Sequence, residues 1–322
     1  DEQIGFAPEK YFEGIVSQID HVVRILAESD KYALKGVDSA KIVKGQAALT
    51  TFRSKYIQKE KNGKLTWVLA SFGTEFEAND VGMNYEDYWN QIIKACYLDF
   101  PDPVAKWREI NKEKSRVMDA LDLMSIEKVH VESEHVDLWV KLGADRKWLG
   151  GSGRNIPSFE VFITPDWRGT SGKIGFNVPL YRYGNKIDGI QFEFKNGVIV
   201  KASASENEVL LKDIISTKNA DKIGEFSLTD KRLSRIDKFM GQTLYDENYG
   251  GEFGNTHIAV GMGYVDSYKG DVVNVSRSEL DDAGFNDSTE HTDMFSIENR
   301  KVTAFMADGS SCVIYENGIF VV

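Results

Sequence analysis

The apolar residues of this chain recur at two different periods, and the change comes near Lys128. Ahead of it they fall mostly at helical intervals; beyond it they alternate in short runs punctuated by glycine and asparagine. A strand buries one face with a repeat of two residues and a helix with a repeat of about 3.6, so one pattern cannot serve as the other. The chain therefore reads as α+β overall: a helix-rich α/β lobe over residues 1–127, followed by a predominantly β domain over residues 128–322.

In the first part, Phe12, Ile15, Ile19, Val22, Val23 and Leu26 predict one amphipathic helix over 8–29, with His21 at its surface. A second helix is expected over 39–59, capped by Ser39. Asn62-Gly63 turns the chain into a buried strand over 65–72, and two further helices follow over 85–97 and 102–124. Tyr85, Tyr88, Trp89 and Trp107 sit at helical spacing and read as core. In the second part, strands are expected over 128–132, 136–142, 159–164, 173–183, 187–194 and 198–203, and one helix over 206–216. Further strands are expected near 223–227, 257–262, 302–306, 312–315 and 319–322, with hairpin turns at Asn196-Gly197 and Asn317-Gly318.

A formal charge of -11 argues against a nucleic-acid partner, because phosphate binding needs a basic footprint; its ordinary meaning is solubility. No apolar run approaches the roughly 20 residues that span a bilayer, so no membrane partner is expected. The opening DEQIGF carries no signal-peptide pattern, and a start on Asp1 leaves room for an N-terminal portion ahead of it. Cys96 and Cys312 match no metal-ligand spacing and suit a reducing compartment.

Several side chains are candidates for chemistry. Glu160 lies inside an apolar run, sharing a strand face with Phe162 and Thr164, where an unpaired carboxylate is costly. A metal would relieve it; so would Arg154 or Arg168 in an ordinary ion pair. Glu225 occupies a similar setting, whereas Glu247, in a polar segment, also reads as a surface loop residue. His291 and Asp293, at i and i+2, project to one side of an extended chain, to reach one ion, straddle two, or pair with each other. His257 opens the run HIAVGMGY. Tyr264 closes it with opposite parity, so the strand must end or bulge at Gly261 and Gly263 for both to face one site.

Carboxylates and imidazoles without thiolate favour a catalytic centre holding Zn, Co or Mn. Several carboxylates in one pocket repel one another unless cations stand between them. Two cations about 3.5–4 Å apart would hold a hydroxide nucleophile and polarise a scissile carbonyl. The chain has no HExxH, GxSxG, P-loop or dinucleotide-binding GxGxxG, and Gly150-Gly-Ser-Gly153 lacks the Lys-Ser/Thr of a phosphate cradle.

The runs LGGSGRNIPSFEVFITPDWRGT, PLYRYGN, ADKIGEFSLTDKR, TLYDENYGG, GNTHIAVGMGY and the later HTD together resemble the thermophilic-type aminopeptidases of peptidase family M29, the aminopeptidase T, AmpS and PepS group. The resemblance implies a cytoplasmic, homodimeric metallo-aminopeptidase that uses two divalent ions to release N-terminal residues from peptides. It places metal-binding carboxylates on Glu160, Glu225 and Glu247, the other metal ligands on His257, His291 and Asp293, and an active-site tyrosine on Tyr264. Glu225 is the expected bridging or base-like carboxylate. The resemblance also implies a further N-terminal portion that would complete the α/β lobe. The spacing between Glu247 and His257 makes Glu252 a rival ligand. The competing readings are a non-catalytic peptide- or metal-binding module on a peptidase fold, and a metal-dependent amidase.

Overall fold

The computed structural model of the chain describes residues 2–151 and 153–322; the side chains at 39, 40, 43, 46 and 50 fall outside that description. The expected capping role of Ser39 and the Ser152 of the glycine-rich run therefore lie outside the described residues.

The architecture is mixed α/β. A five-stranded antiparallel sheet runs in the order His291–Ser296, Asn255–Gly261, Ile223–Thr229, Glu160–Ile163, Leu149–Gly150. An eight-stranded sheet runs Val198–Ser203, Gln191–Lys195, Ser171–Gly175, Val136–Lys141, Ile126–Glu132, Lys301–Met306, Ser311–Glu316, Ile319–Phe320. One continuous core joins them, with Phe226, Leu228, Ile258 and Val260 from the first sheet and Val129, Leu138, Phe192 and Val302 from the second. Each large apolar side chain buried there contributes about 1.5–3 kcal/mol. In the five-stranded sheet the alternate residues point away from this core, and that face carries the site.

A small parallel sheet orders His21–Leu26, Thr66–Ser71 and Asn155–Ile156. Its third strand comes from well beyond residue 127, so the first part of the chain is stitched directly to the segment that precedes Glu160. Helices Tyr85–Ala95 and Pro103–Leu123 build a second core with Tyr88, Ile92 and Ile110 around Phe159, Ile236 and Tyr245. Trp89 and Trp107 pack against that core as expected, but Tyr85 is 40% exposed and only meets Trp89 edge-on.

Four boundaries differ from expectation. The helix expected over 8–29 stops at Gln18, and His21–Leu26 is a strand. Its β-branched HVVRIL run finds a partner in Thr66–Ser71, and that pairing overrides the helical periodicity. The helix expected over 39–59 is two, Ser39–Ala48 and Thr50–Lys61. The strand expected over 173–183 is also two, Ser171–Gly175 and Leu180–Arg182, separated at Pro179, which has no N–H to give a ladder. The run 187–194 divides likewise, Asn185–Ile187 pairing with Leu180–Arg182 and Gln191–Lys195 staying in the large sheet. The hairpin turns stand where expected, with Asn196-Gly197 at φ of 51° and 85° and Asn317-Gly318 at φ of 50° and 80°.

Candidate metal centre

Strand register assembles the site. Ser227 lies opposite His257 on one side and Phe162 on the other; Ala259 lies between Glu225 and Asp293; Gly261 lies opposite His291. Directly opposed residues in an antiparallel sheet share a face. Glu160, Glu225, His257, His291 and Asp293, drawn from four strands, thus all point away from the core. Glu225 shares the parity of Ser227 and Thr229, and a bulge between Ile223 and Glu225 turns Ile223 back into the core.

Two groups of potential ligands result, Glu160–Glu225–His257 and Glu225–His291–Asp293, and Glu225 belongs to both. His257 Nε2 lies 3.1 Å from Glu225 Oε1 and 3.4 Å from Glu160 Oε2. His291 Nε2 lies 3.4 Å from Asp293 Oδ1 and 3.8 Å from Glu225 Oε2. Glu247 is buried and lines the same cavity but stands outside both groups, its Oε1 accepting from the amides of Asn248 and Asn155 at 3.3 and 3.5 Å. Glu252 is exposed and has no place in either group. Neither Arg154 nor Arg168 pairs with Glu160: Arg154 bridges Glu60 and Asp266, and Arg168 binds Asp166.

Tyr264 reaches the cavity because the strand ends at Gly261. Gly261 has φ of 99°, and a Cβ there would lie 2.1 Å from the carbonyl oxygen of Glu290. A Cβ on Gly263 would lie 2.5 Å from Thr164 Cγ2. Close backbone approach is therefore the use of these two glycines. The Tyr264 ring then stands 4.9 Å from that of His291 and 6.0 Å from that of Phe162.

Electrostatics carry the mark of crowded acids. Burial, above all, raises the pKa of Glu225 and raises that of Glu247 well above the ordinary carboxylate range. Burial opposes a charged His257, yet Glu160 and Glu225 raise its pKa well above the usual imidazole value. The same contest, with Asp293 as chief partner, takes His291 to about 9 and holds Asp293 low. Burial and the four neighbouring carboxylates hold the Tyr264 phenol protonated.

The donor set fits divalent cations. His291 Nδ1 donates to the Met262 carbonyl at 2.7 Å, so a neutral His291 turns a lone pair on Nε2 toward Asp293 and Glu225. Lone pairs facing carboxylates repel unless a proton or a cation lies between them. On the far side of the His257 ring, Nδ1 is buried without a hydrogen-bond partner.

The cavity above these groups has a volume of about 390 Å³ and is walled by Trp67, Leu149 and Phe162. Arg154, Lys147 and Asp266 also line it. No local pattern in the sequence marks Trp67 as a wall residue, because the pairing of Asn155–Ile156 with Thr66–Ser71 is what brings its strand to the cavity.

The chain is similar to known aminopeptidases. The chain is 29% identical to aminopeptidase AmpS of Bacillus subtilis (strain 168) over 312 residues, 91% of this chain and 75% of that protein. It is 30% identical to aminopeptidase 2 of Geobacillus stearothermophilus over 308 residues, 88% of this chain and 72% of that one. The solved structure of wild-type AmpT from Thermus thermophilus shares the fold, with a TM-score of 0.84 at 24% identity, over 100% of this chain and 82% of that one. The family model for thermophilic metalloproteases, M29, matches residues 1–320. The chain belongs to the M29 metallopeptidase family.

Proposed function

We propose that this protein is a dinuclear metallo-aminopeptidase that removes N-terminal residues from peptides. The observation that carries the reading is the pair of ligand groups joined through Glu225 on one sheet face, with Glu160, Glu225, His291 and Asp293 lining a single cavity and His257 buried beside them. Glu160, Glu225 and His257 would hold one divalent ion, Glu225, His291 and Asp293 the other, and Glu247 would complete the set from the cavity wall. Zn, Co and Mn suit this oxygen and nitrogen donor set. Bound there, such ions would supply Lewis-acid polarisation of a scissile carbonyl and a hydroxide nucleophile at neutral pH.

The protein's own groups do the rest. Glu225 spans both groups and is our choice for the bridging, base-like carboxylate. Tyr264, protonated and facing the cavity, donates a hydrogen bond to the oxyanion as the carbonyl becomes tetrahedral. The free amine of the peptide is taken up at the acidic floor, which restricts cleavage to the chain end. Peptides are named as substrates because the similar proteins are aminopeptidases. We read residues 1–127 as a helix-rich lobe that roofs a metal-binding domain over 128–322. A cytoplasmic homodimer is proposed on the family likeness, and the free thiols of Cys96 and Cys312 suit such a compartment.

The test compares leucine p-nitroanilide with its N-acetylated form, using chain stripped of metal and then reloaded with Co or Zn. Hydrolysis of the free-amine substrate alone, lost on chelation and regained on reloading, is expected. Cleavage of the acetylated substrate alone would make the protein an amidase. No turnover with any metal would make it a binding module.

A further inference from the structure

The strand that carries His291 and Asp293 is the outermost of its sheet and is paired along one side only, with Asn255–Gly261. Something else must fix its free side if two ligands are to hold their positions. We propose that Arg182 is a positioning residue for His291 and Asp293, acting through Glu290. This rests on the metal-centre reading above.

Strand alternation sends Glu290 and Thr292 to the side opposite His291 and Asp293. There the Glu290 carboxylate is 5% exposed and fully engaged. Its Oε1 accepts from Arg182 Nη2 and from Thr292 Oγ1, each at 2.5 Å, and its Oε2 accepts from the Tyr183 hydroxyl at 2.9 Å. The Glu290 main chain is tied as well: its carbonyl accepts from Met262 N–H at 2.7 Å, and the Met262 carbonyl in turn accepts from His291 Nδ1 at 2.7 Å. Holding Glu290 therefore holds the backbone that leads into the His291 ring and the residue its ring bonds.

Arg182 belongs to a small hairpin, Leu180–Arg182 with Asn185–Ile187, that is braced from behind. Tyr181 stacks on Phe239 with centroids 6.4 Å apart, and the Lys31 ammonium lies 3.6 Å over the Tyr181 ring. At the turn, a Cβ on Gly184 would lie 2.7 Å from Lys35 N, so the hairpin packs directly on the backbone near residue 35. The guanidinium of Arg182 also lies 4.7 Å over the Tyr183 ring, which restricts its rotamer. A charged donor held over the Tyr183 ring and bonded through Nη2 to a buried carboxylate braces the edge strand.

Outer partners of this kind typically change metal affinity 10–100-fold when removed. The experiment titrates the metal-free chain with Co(II), followed by its visible absorption, alongside circular-dichroism melts of each variant. In Arg182→Met the equivalent bound by Glu225, His291 and Asp293 is expected to weaken about 10–100-fold, with the other equivalent unchanged and part of the loss recovered in Arg182→Lys. Thr292→Val, which removes one bond to Glu290, is expected to weaken the same equivalent by a smaller factor, and serves if Arg182→Met fails to fold. Wild-type affinity for both equivalents in folded Arg182→Met or Thr292→Val overturns the proposal, as does equal weakening of both. Failure of the wild-type chain to bind cobalt at all would instead defeat the metal reading itself.

Discussion

Glu225 Oε1 lies 3.1 Å from Nε2 of His257. Its other oxygen faces the second ligand group, so one side chain serves both. Glu225→Gln keeps the shape but removes the charge and one acceptor. Metal analysis of that variant is expected to show loss of both ions, where Asp293→Asn loses chiefly one. Equal retention in the two variants would mean that Glu225 is not shared.

Tyr264→Phe isolates the proposed oxyanion donor. Its hydroxyl makes no protein hydrogen bond among those of the described residues, so its removal leaves the fold intact. The expected effect is a fall in kcat of about 10²–10³-fold, with KM and bound metal unchanged. Steady-state kinetics on leucine p-nitroanilide reads it; an unchanged kcat would take Tyr264 out of the reaction.

Most of the elements were legible because each announces itself locally. Asn196-Gly197 fixes a hairpin, and the spacing of His291 and Asp293 places both on one strand face. What could not be read was register. Nothing in the sequence says that Ala259 stands between Glu225 and Asp293, or that Ser227 stands between Phe162 and His257, and the site exists only through those pairings. The helix Glu75–Asp80 was missed although Thr74 and Glu77 form a capping box, a signal present in the sequence. His21–Leu26 was misread because its partner strand is forty-five residues away along the chain, beyond any local window.

Lys114 supplies a pH test of packing next to the site. It is 1% exposed, and its ammonium donates to the carbonyls of Ser158 at 2.8 Å and Gly151 at 3.2 Å. Burial lowers its pKa to about 8, so the folded state releases this proton before the unfolded state does. Between that pH and the unfolded value near 10.5, the unfolded chain binds more protons, and stability rises with pH. The penalty is fully present below pH 8 and amounts to about 3 kcal/mol. Denaturant unfolding of wild type and Lys114→Met is expected to show wild type gaining relative stability from pH 8 to 10.5; a constant difference would contradict it.

Gly261→Ala tests close approach beside His291. Positive φ and a Cβ 2.1 Å from the Glu290 carbonyl oxygen together predict a loss of about 3 kcal/mol or more. Gly309→Ala, also at positive φ but with open space around it, is expected to lose only about 1 kcal/mol. Urea melts of the two variants separate strain from collision, and equal losses would remove the collision.

The most direct test of the dinuclear centre is a titration of metal-free chain with Co(II), reading hydrolysis of leucine p-nitroanilide against equivalents added. Activity that is absent without metal and levels off at two equivalents per chain is the predicted result. Full turnover by the metal-free chain, or a plateau at a single equivalent, would contradict it.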